Sequence, residues 1–333
     1  MRILFVIQRY GLEVAGGSEL HCRWLATRLA RRHQVEIATT CALDYIEWRN
    51  HYPPGDDTVD GLRVRRFPVA RPRSQHRFSL VQDLVFHDEH TLEDEREWVV
   101  ENGPVCPALI KALPSWPADV VVFYSYRYYQ SFFGVPVARD RAVLVPTAEE
   151  DPAVELPVFG PLFRAPRGLL YLTPEERALV NGVSGNESVP SVVIGSGINV
   201  PDGWRAADVR SRYALPERFL FYAGRIDRNK GADRLFTYYR RLADEFVKNS
   251  GRRGSGASVW ENASWRTANR CSSPPFGAVP TRISLRTSRP CSAAICWATQ
   301  PPREKPNRST SERPSRSMKA TASCAIAAML SGV

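Results

Sequence analysis

The sequence has 333 residues, 43% hydrophobic and 24% charged, so it is long enough for two ordinary domains with apolar cores. This length excludes a small disulfide-stapled scaffold, and no apolar run approaches the roughly 18 residues of a membrane span or a signal sequence. We therefore expect a cytoplasmic protein.

The net charge of +10 comes from one end of the chain. Residues 249–333 contain 13 Lys and Arg against three acids, whereas residues 1–248 are balanced at 32 of each. The C-terminal segment also holds four of the seven cysteines, no Asp, Tyr or His, and many Ser, Pro and Arg. Two different kinds of sequence therefore join near Lys248.

The chain begins with a pattern typical of a doubly wound sheet. Residues 2–7 form an apolar run that predicts a buried parallel strand. The glycines Gly16 and Gly17 follow, then Ser18 as the predicted N-cap of a helix, and then a strand at 35–38. In such a βαβ unit, ligands bind beyond the carboxyl ends of the strands.

Later elements repeat this scheme. Further strands are predicted at residues 62–68, 120–124, 143–145, 168–172 and 192–194. An exposed helix is predicted at 91–102, and another begins at Thr173, where Thr is a cap and Pro174 occupies the first turn. A second βα unit is predicted as a strand at 219–223 and a helix from 231 to about 247.

Two loops carry residues that suit a phosphorylated ligand. Gly16 and Gly17 let backbone N–H groups at a helix N-terminus face an anion, although a tight turn explains them equally well. The loop from Gly224 to Gly231 delivers Arg225 and Lys230, whose charges suit a departing diphosphate. A solvated basic loop is the alternative for the second segment.

These residues resemble the retaining, nucleotide-sugar-dependent glycosyltransferases of family 4, which have the GT-B fold of two facing Rossmann-like domains. The resemblance rests on the Gly-Gly-x-Glu turn and on the Gly-Arg-x-x-x-x-Lys-Gly loop. The resemblance covers about residues 1–248. Four further segments look like those of a bacterial branch of the family, namely residues 125–129, 145–148, 173–177 and 194–198.

The resemblance implies an α/β, GT-B-like chain with two Rossmann-like doubly wound domains, the second incomplete, and a disordered or irregular tail. Its implied parts are an acceptor-side domain at 1–200, a linker at 201–217, the start of a donor-binding domain at 218–248, and an aberrant basic tail at 249–333. Acceptor choice would lie in the loops at 44–58 and 71–86.

The resemblance also implies roles for single residues. Arg225 and Lys230 would be catalytic, since they stabilise the leaving diphosphate. The implied substrate-binding residues are Gly16, Gly17, Glu19, Gly224 and Glu149. Glu19 equally suits a helix's first turn as an acid that complements the dipole. Glu149 stands where the family commonly has a His, and its charge would repel a diphosphate.

The implied reaction is transfer of a hexosyl unit from a nucleoside-diphosphate sugar to a glycan or lipid-linked acceptor, with retention, as in polysaccharide biosynthesis. It needs no cofactor and no obligatory metal. A lipid-linked acceptor is compatible with peripheral membrane contact, and no specific nucleic acid is expected. The alternative is a non-catalytic remnant, a binding protein whose donor pocket is incomplete.

The tail lacks any regular apolar period. Its four cysteines form no Cys-x-x-Cys pair and have no His, which argues against zinc. Glu304 and Glu312 have the family's Glu-x7-Glu spacing, but Pro306 disrupts a helix there, so coincidence explains them better. We interpret the segment as a product of a changed reading frame; a disordered extension and a basic nucleic-acid-binding arm are the alternatives.

Overall fold

The computed structural model describes residues 1–197 and, beyond them, residues 211, 219–225, 231, 234–235, 237–239, 241, 266–269 and 292–298. The chain divides into two compact units. The described residues up to 197 belong to the first unit and the later ones to the second. The predicted linker at 201–217 and Lys230 lie outside the described residues, apart from Ser211.

The first unit is built on a mixed sheet of eight strands in the order β3-β4-β2-β1-β5-β6-β7-β8. The strands are β1 Arg2–Val6, β2 Gln34–Thr40, β3 Gly55–Val59, β4 Leu62–Phe67, β5 Val120–Tyr124, β6 Ala142–Val145, β7 Gly168–Tyr171 and β8 Ser191–Val193. Only β3 pairs antiparallel among these eight strands, so the sheet is otherwise parallel.

Helices cover both faces of this sheet. They are α1 Gly17–Leu29, α2 Gln75–His87, α3 Leu92–Asn102, α4 Pro107–Ala112, α5 Tyr129–Val137, α6 Phe159–Arg164 and α7 Pro174–Ser184. One apolar core lies between α1 and the sheet, and a larger one lies on the other face, where Trp98 and Phe159 are buried. Burial on both faces explains why the central strands are continuous apolar runs.

The strand order reverses at β1. β1 pairs with β2 on one side and with β5 on the other, with Ile3 opposite both Val35 and Val120. In an open parallel sheet the crevice beyond such a reversal is where ligands bind. The predicted α/β doubly wound fold of the first domain is confirmed, and it places a candidate site at the carboxyl ends of β1 and β5.

β3 forms one edge of the sheet and is strongly charged. Asp56 lies opposite Arg65, and its carboxylate accepts hydrogen bonds from Arg65 Nε at 2.8 Å and Arg63 Nη2 at 2.9 Å. These bonds, from Arg65 first and Arg63 second, hold the pKa of Asp56 well below its usual range. Cross-strand charge pairs therefore hold most of this outer strand, in which only the last residue, Val59, is buried.

Three local predictions were wrong. Ser18 is not the N-cap of α1, because Gly16 takes that position and the Ser18 hydroxyl bonds Glu19 Oε2 at 2.8 Å. Helix α3 is not exposed, since Trp98 is buried; Thr91 caps it through a capping box. The presumed loop at 71–86 largely forms α2, which begins after the N-cap Ser74.

The second unit is described through three strands. β9 Phe219–Arg225, β10 Arg266–Asn269 and β11 Ser292–Ala298 form a sheet in the order β10-β11-β9, and both pairs are antiparallel. β9 begins where the strand was predicted but is two residues longer, so that Gly224 and Arg225, predicted to lie in the following loop, belong to the strand. The sequence did not predict β10 and β11. Parallel βα units in a second domain stay a prediction.

Candidate functional site

The carboxyl edge of the sheet gathers the sequence motifs of the first unit. Residues 125–129 follow β5, residues 145–148 begin at the last residue of β6, residues 173–177 follow β7, and residues 194–197, the described part of the fourth motif, follow β8. These four strands are neighbours in the sheet. Segments that are far apart in sequence therefore lie along one edge, as expected for a ligand site in an open parallel sheet.

Two residues at this edge have strained backbones. Ser125 and Thr147 adopt the left-handed conformation with φ of 65° and 50°, which non-glycine residues rarely do. Their hydroxyls lie 2.8 Å apart in a hydrogen bond, and the Ser125 amide donates to Val145 O at 2.9 Å. Strain of this kind is concentrated at functional sites, so the pair marks the ends of β5 and β6 as candidates.

A buried glutamate joins the loops after β6 and β7. Glu176 Oε1 accepts from the Ala148 amide at 2.8 Å, and Oε2 accepts from the Leu172 amide at 2.6 Å. Burial raises the pKa of Glu176, although hydrogen bonds from these backbone amides act in the opposite direction. Glu176 thus holds the Thr147 loop against the start of α7.

The glycine turn opens α1 beside the switch point. The Leu20 amide bonds Gly16 O at 3.0 Å, and no side chain caps the helix. Amides of an uncapped first turn are available to an anion, which the helix dipole also favours. The prediction of an anion site at Gly16 and Gly17 is therefore compatible with the local geometry, and it stays a prediction.

Glu19 is buried in an ion pair rather than exposed in the first turn. Its side chain is 4% exposed, and Oε1 accepts from Arg9 Nη2 at 2.6 Å and from Gln8 Nε2 at 3.0 Å. Arg9 lies three residues after the end of β1 and also donates to Leu43 O at 2.9 Å. Because Arg9 neutralises Glu19, the carboxylate does not leave an unpaired negative charge beside the glycine turn.

The close approach of Glu19 explains why residue 16 is a glycine. A Cβ at Gly16 would lie 2.1 Å from Glu19 Oε2, whereas a Cβ at Gly17 would meet no atom within 4 Å. We expect Gly16→Ala to displace the carboxylate and lower the free energy of unfolding by about 1–3 kcal/mol. Gly17→Ala is the matched control and should be neutral or stabilising by up to about 1 kcal/mol. Urea unfolding of both variants tests this, and equal losses would contradict it.

His21 is a residue that sequence analysis missed. It lies on α1, its Nδ1 is 3.0 Å from the Tyr124 hydroxyl at the end of β5, and its ring also bonds the Gly195 backbone. Burial lowers the pKa of His21. The sequence around His21 contains no motif that indicates a function for a lone histidine on a helix. Its contacts with the ends of β5 and β8 come from residues that are distant in sequence, so only the structure shows them.

The lowered pKa of His21 predicts a pH dependence of stability. As pH falls below about 6.5, the unfolded chain binds a proton at this position that the folded chain resists, so stability decreases. His21→Gln removes this linkage and should lose less unfolding free energy between pH 7.5 and 5.5 than the parent chain. His76→Gln on exposed α2 should behave like the parent. Identical losses for all three proteins would refute the assignment to His21.

The remaining predicted site residues are placed as follows. Glu149 is exposed on the loop after β6, two residues beyond strained Thr147. Gly224 and Arg225 are the last two residues of β9, and Lys230 lies outside the described residues. Gly16, Gly17 and Glu19 are thus brought together in the first unit, and the roles of all these residues in binding or catalysis stay predictions.

Within the part of the chain that the structure describes, no group of three or more His, Cys, Asp and Glu residues could hold a metal ion. No helix among the described residues is long and apolar enough to cross a bilayer.

No protein-family model and no curated protein matches the sequence. Among solved structures, the chain is similar to sucrose-phosphate synthase from Thermosynechococcus elongatus, at 11% identity and a TM-score of 0.37 over 64% of this chain and 97% of that one. It is also similar to the catalytic domain of starch synthase IV from Arabidopsis thaliana, bound to ADP and acarbose, at 12% identity and a TM-score of 0.40 over 65% and 59%.

A third solved structure is also similar to the chain. This is UDP-N-acetylglucosamine 2-epimerase from Rickettsia bellii, at 11% identity and a TM-score of 0.31, with 64% of this chain and 47% of that chain covered. The chain therefore spans about half the length of two of these three proteins.

Proposed function

We propose that the chain derives from a GT-B glycosyltransferase of family 4 that transfers a hexosyl unit from a nucleoside-diphosphate sugar to a glycan or lipid-linked acceptor, with retention. The observation that carries the proposal is the uncapped glycine turn of α1 at the strand-order reversal between β1 and β5. A turn of this kind suits the phosphate of a nucleotide sugar.

The first unit would contribute position rather than catalytic charge. Gly16 and Gly17 would let the ligand approach the first-turn amides of α1, and paired Arg9 and Glu19 would keep that turn electrostatically neutral. Arg225 and Lys230 of the second unit would supply the positive charge that stabilises the leaving diphosphate, so that no metal is required.

A donor assay on the full chain tests the proposal. Purified protein is incubated with UDP-, ADP-, GDP- and dTDP-hexoses, and release of the nucleoside diphosphate is measured with and without an acceptor mixture. We expect release that Arg225→Ala reduces at least about 100-fold, the loss typical of removing one preorganised charge donor. Arg228→Ala, three residues further along the sequence, is the charge-matched control and should retain turnover.

The outcomes separate the enzyme from the binding-protein alternative. A chain that unfolds cooperatively but releases no nucleoside diphosphate from any donor would contradict the transferase and support a non-catalytic remnant. Equal losses in Arg225→Ala and Arg228→Ala would contradict the role of Arg225. The anomeric configuration of the product, read by NMR, tests retention.

A further inference from the structure

A cluster of arginine and aromatic side chains lies at the carboxyl edge, next to the glycine turn. It consists of Arg9, Tyr45, Trp48, Arg73 and Tyr128, and we call it the Arg73 cluster. Arg9 links it to the turn, because Arg9 Nη2 is 3.4 Å from Ala15 O and would lie 3.1 Å from a Cβ at Gly16. Neither the ion pair of Glu19 nor the proposed donor site uses Arg73 or Tyr128.

Trp48 forms the buried centre of the cluster. The guanidinium carbon of Arg73 lies 5.2 Å from the Trp48 ring centroid and that of Arg9 lies 6.0 Å from it, both within cation–π range. Tyr128 meets the same ring edge-on at 5.6 Å. Trp48 itself is fixed by a hydrogen bond from Nε1 to Asn102 O at 2.7 Å. The centre is therefore rigid, and Tyr45, Arg73 and Tyr128 around it are half-buried.

Arg73 retains hydrogen-bond donors for a ligand. Its Nε and Nη2 atoms donate to Asn102, whereas Nη1 has no hydrogen bond and Arg73 has no ion pair within residues 1–197. Burial lowers the pKa of Arg73 to about 10, so the side chain stays charged at neutral pH. The Tyr128 hydroxyl likewise has no hydrogen-bond partner among the described residues.

None of the charged residues around Arg73 in this part of the chain forms an ion pair with its guanidinium. Arg9 is paired with Glu19, and Arg127, which also faces Tyr128, is paired with Asp151. The acid that acts on Arg73 is Asp44, whose Oδ1 accepts from the Ile46 and Glu47 amides at 2.8 and 2.7 Å. Asp44 weakens the positive potential but forms no ion pair with Arg73 in this part of the chain.

We propose that the Arg73 cluster binds a phosphate ester, with Arg73 Nη1 and the Tyr128 hydroxyl as donors to its oxygens and with the aromatic rings against the group that the phosphate carries. The positive charge of Arg73 and the two N–H groups of its Nη1 suit a phosphate oxygen, since hydrogen bonds between charged groups are stronger than those between neutral ones. Calling this ligand the acceptor rests on the proposed function; the site itself does not.

Direct binding tests the site without any turnover. Glucose 6-phosphate, glucose, and vesicles of phosphatidylglycerol or phosphatidylcholine are titrated against the full chain. Arg73→Gln should weaken phosphate binding about tenfold, which corresponds to about 1.4 kcal/mol. Tyr128→Phe should weaken it by about threefold, as expected for one hydrogen bond. Arg77→Gln, four residues further along in the first turn of α2 and 60% exposed in its side chain, is the charge-matched control and should change binding less than about twofold.

The four probes distinguish a soluble phosphate ester from a lipid headgroup. Binding of glucose 6-phosphate but not glucose assigns a soluble ester, whereas binding of phosphatidylglycerol vesicles alone assigns a lipid headgroup; both support the site. If neither phosphate probe binds the folded chain, or if Arg77→Gln loses as much as Tyr128→Phe, the site is overturned. Should Arg73→Gln not fold, Tyr128→Phe decides. A chain that binds the ester but releases no nucleoside diphosphate fails the proposed function and keeps this site.

Discussion

Replacing Glu19 by alanine is expected to lower the free energy of unfolding by about 3–5 kcal/mol, because it leaves Arg9 charged and buried without its partner. Arg9 is 5% exposed, and its remaining hydrogen bonds go to backbone carbonyls such as Leu43 O. A role limited to the helix dipole would instead cost about 0.3–1 kcal/mol. Urea unfolding monitored by far-UV circular dichroism measures the difference.

A glutamate from another helix provides the matched control. Glu93 also stands in a first turn, that of α3, but its side chain is 87% exposed and 3.8 Å from Arg96. Glu93→Ala should change stability by less than about 1 kcal/mol. The double variant Arg9→Met, Glu19→Leu should recover part of the loss of Glu19→Ala, since it removes both buried charges. If Glu19→Ala and Glu93→Ala lower the free energy of unfolding by the same amount, the ion pair between Arg9 and Glu19 does not stabilise the fold.

Glu176→Ala is expected to cost about 3–4 kcal/mol. The change removes the acceptor of two part-buried amides, those of Ala148 and Leu172, and each unsatisfied amide costs about 1–3 kcal/mol. The neighbouring Glu175 is exposed, so Glu175→Ala should stay within about 0.5 kcal/mol of the parent chain. Urea unfolding tests both variants. Hydrogen exchange of the Ala148 and Leu172 amides gives an independent readout. Unchanged protection of these amides in Glu176→Ala would contradict the role of Glu176 as their hydrogen-bond acceptor.

The sequence predicts those elements whose apolar pattern or capping residues match their position in the fold. β5 matches its predicted bounds because Val120–Tyr124 is buried on both faces, which makes the whole run apolar. Helix α7 begins where predicted because the Thr173 side chain accepts from the Glu176 amide at 3.0 Å and Pro174 follows it. Periodicity and capping chemistry suffice for such elements.

Other elements and most of the site depend on distant contacts. Helix α2 has one buried residue, Val85, so its apolar period is weak. β3 is held by ion pairs to β4, a signal that hydropathy does not carry. The partners of Glu19 are Arg9 and Gln8 on the other side of the glycine turn, and Tyr124, which contacts His21, is 103 residues away. Residue types at a given spacing do not specify such pairings.

The charged outer strand β3 has a consequence for self-association. A free strand edge offers a template on which a second molecule can add its own strand and begin an aggregate. Asp56, placed between Arg63 and Arg65, would have to lose its solvation when another chain docked along this margin. Because its pKa is depressed, the carboxylate keeps its charge in mild acid as well. The charged side chains of Asp56, Arg63 and Arg65 therefore oppose the addition of another strand along this edge.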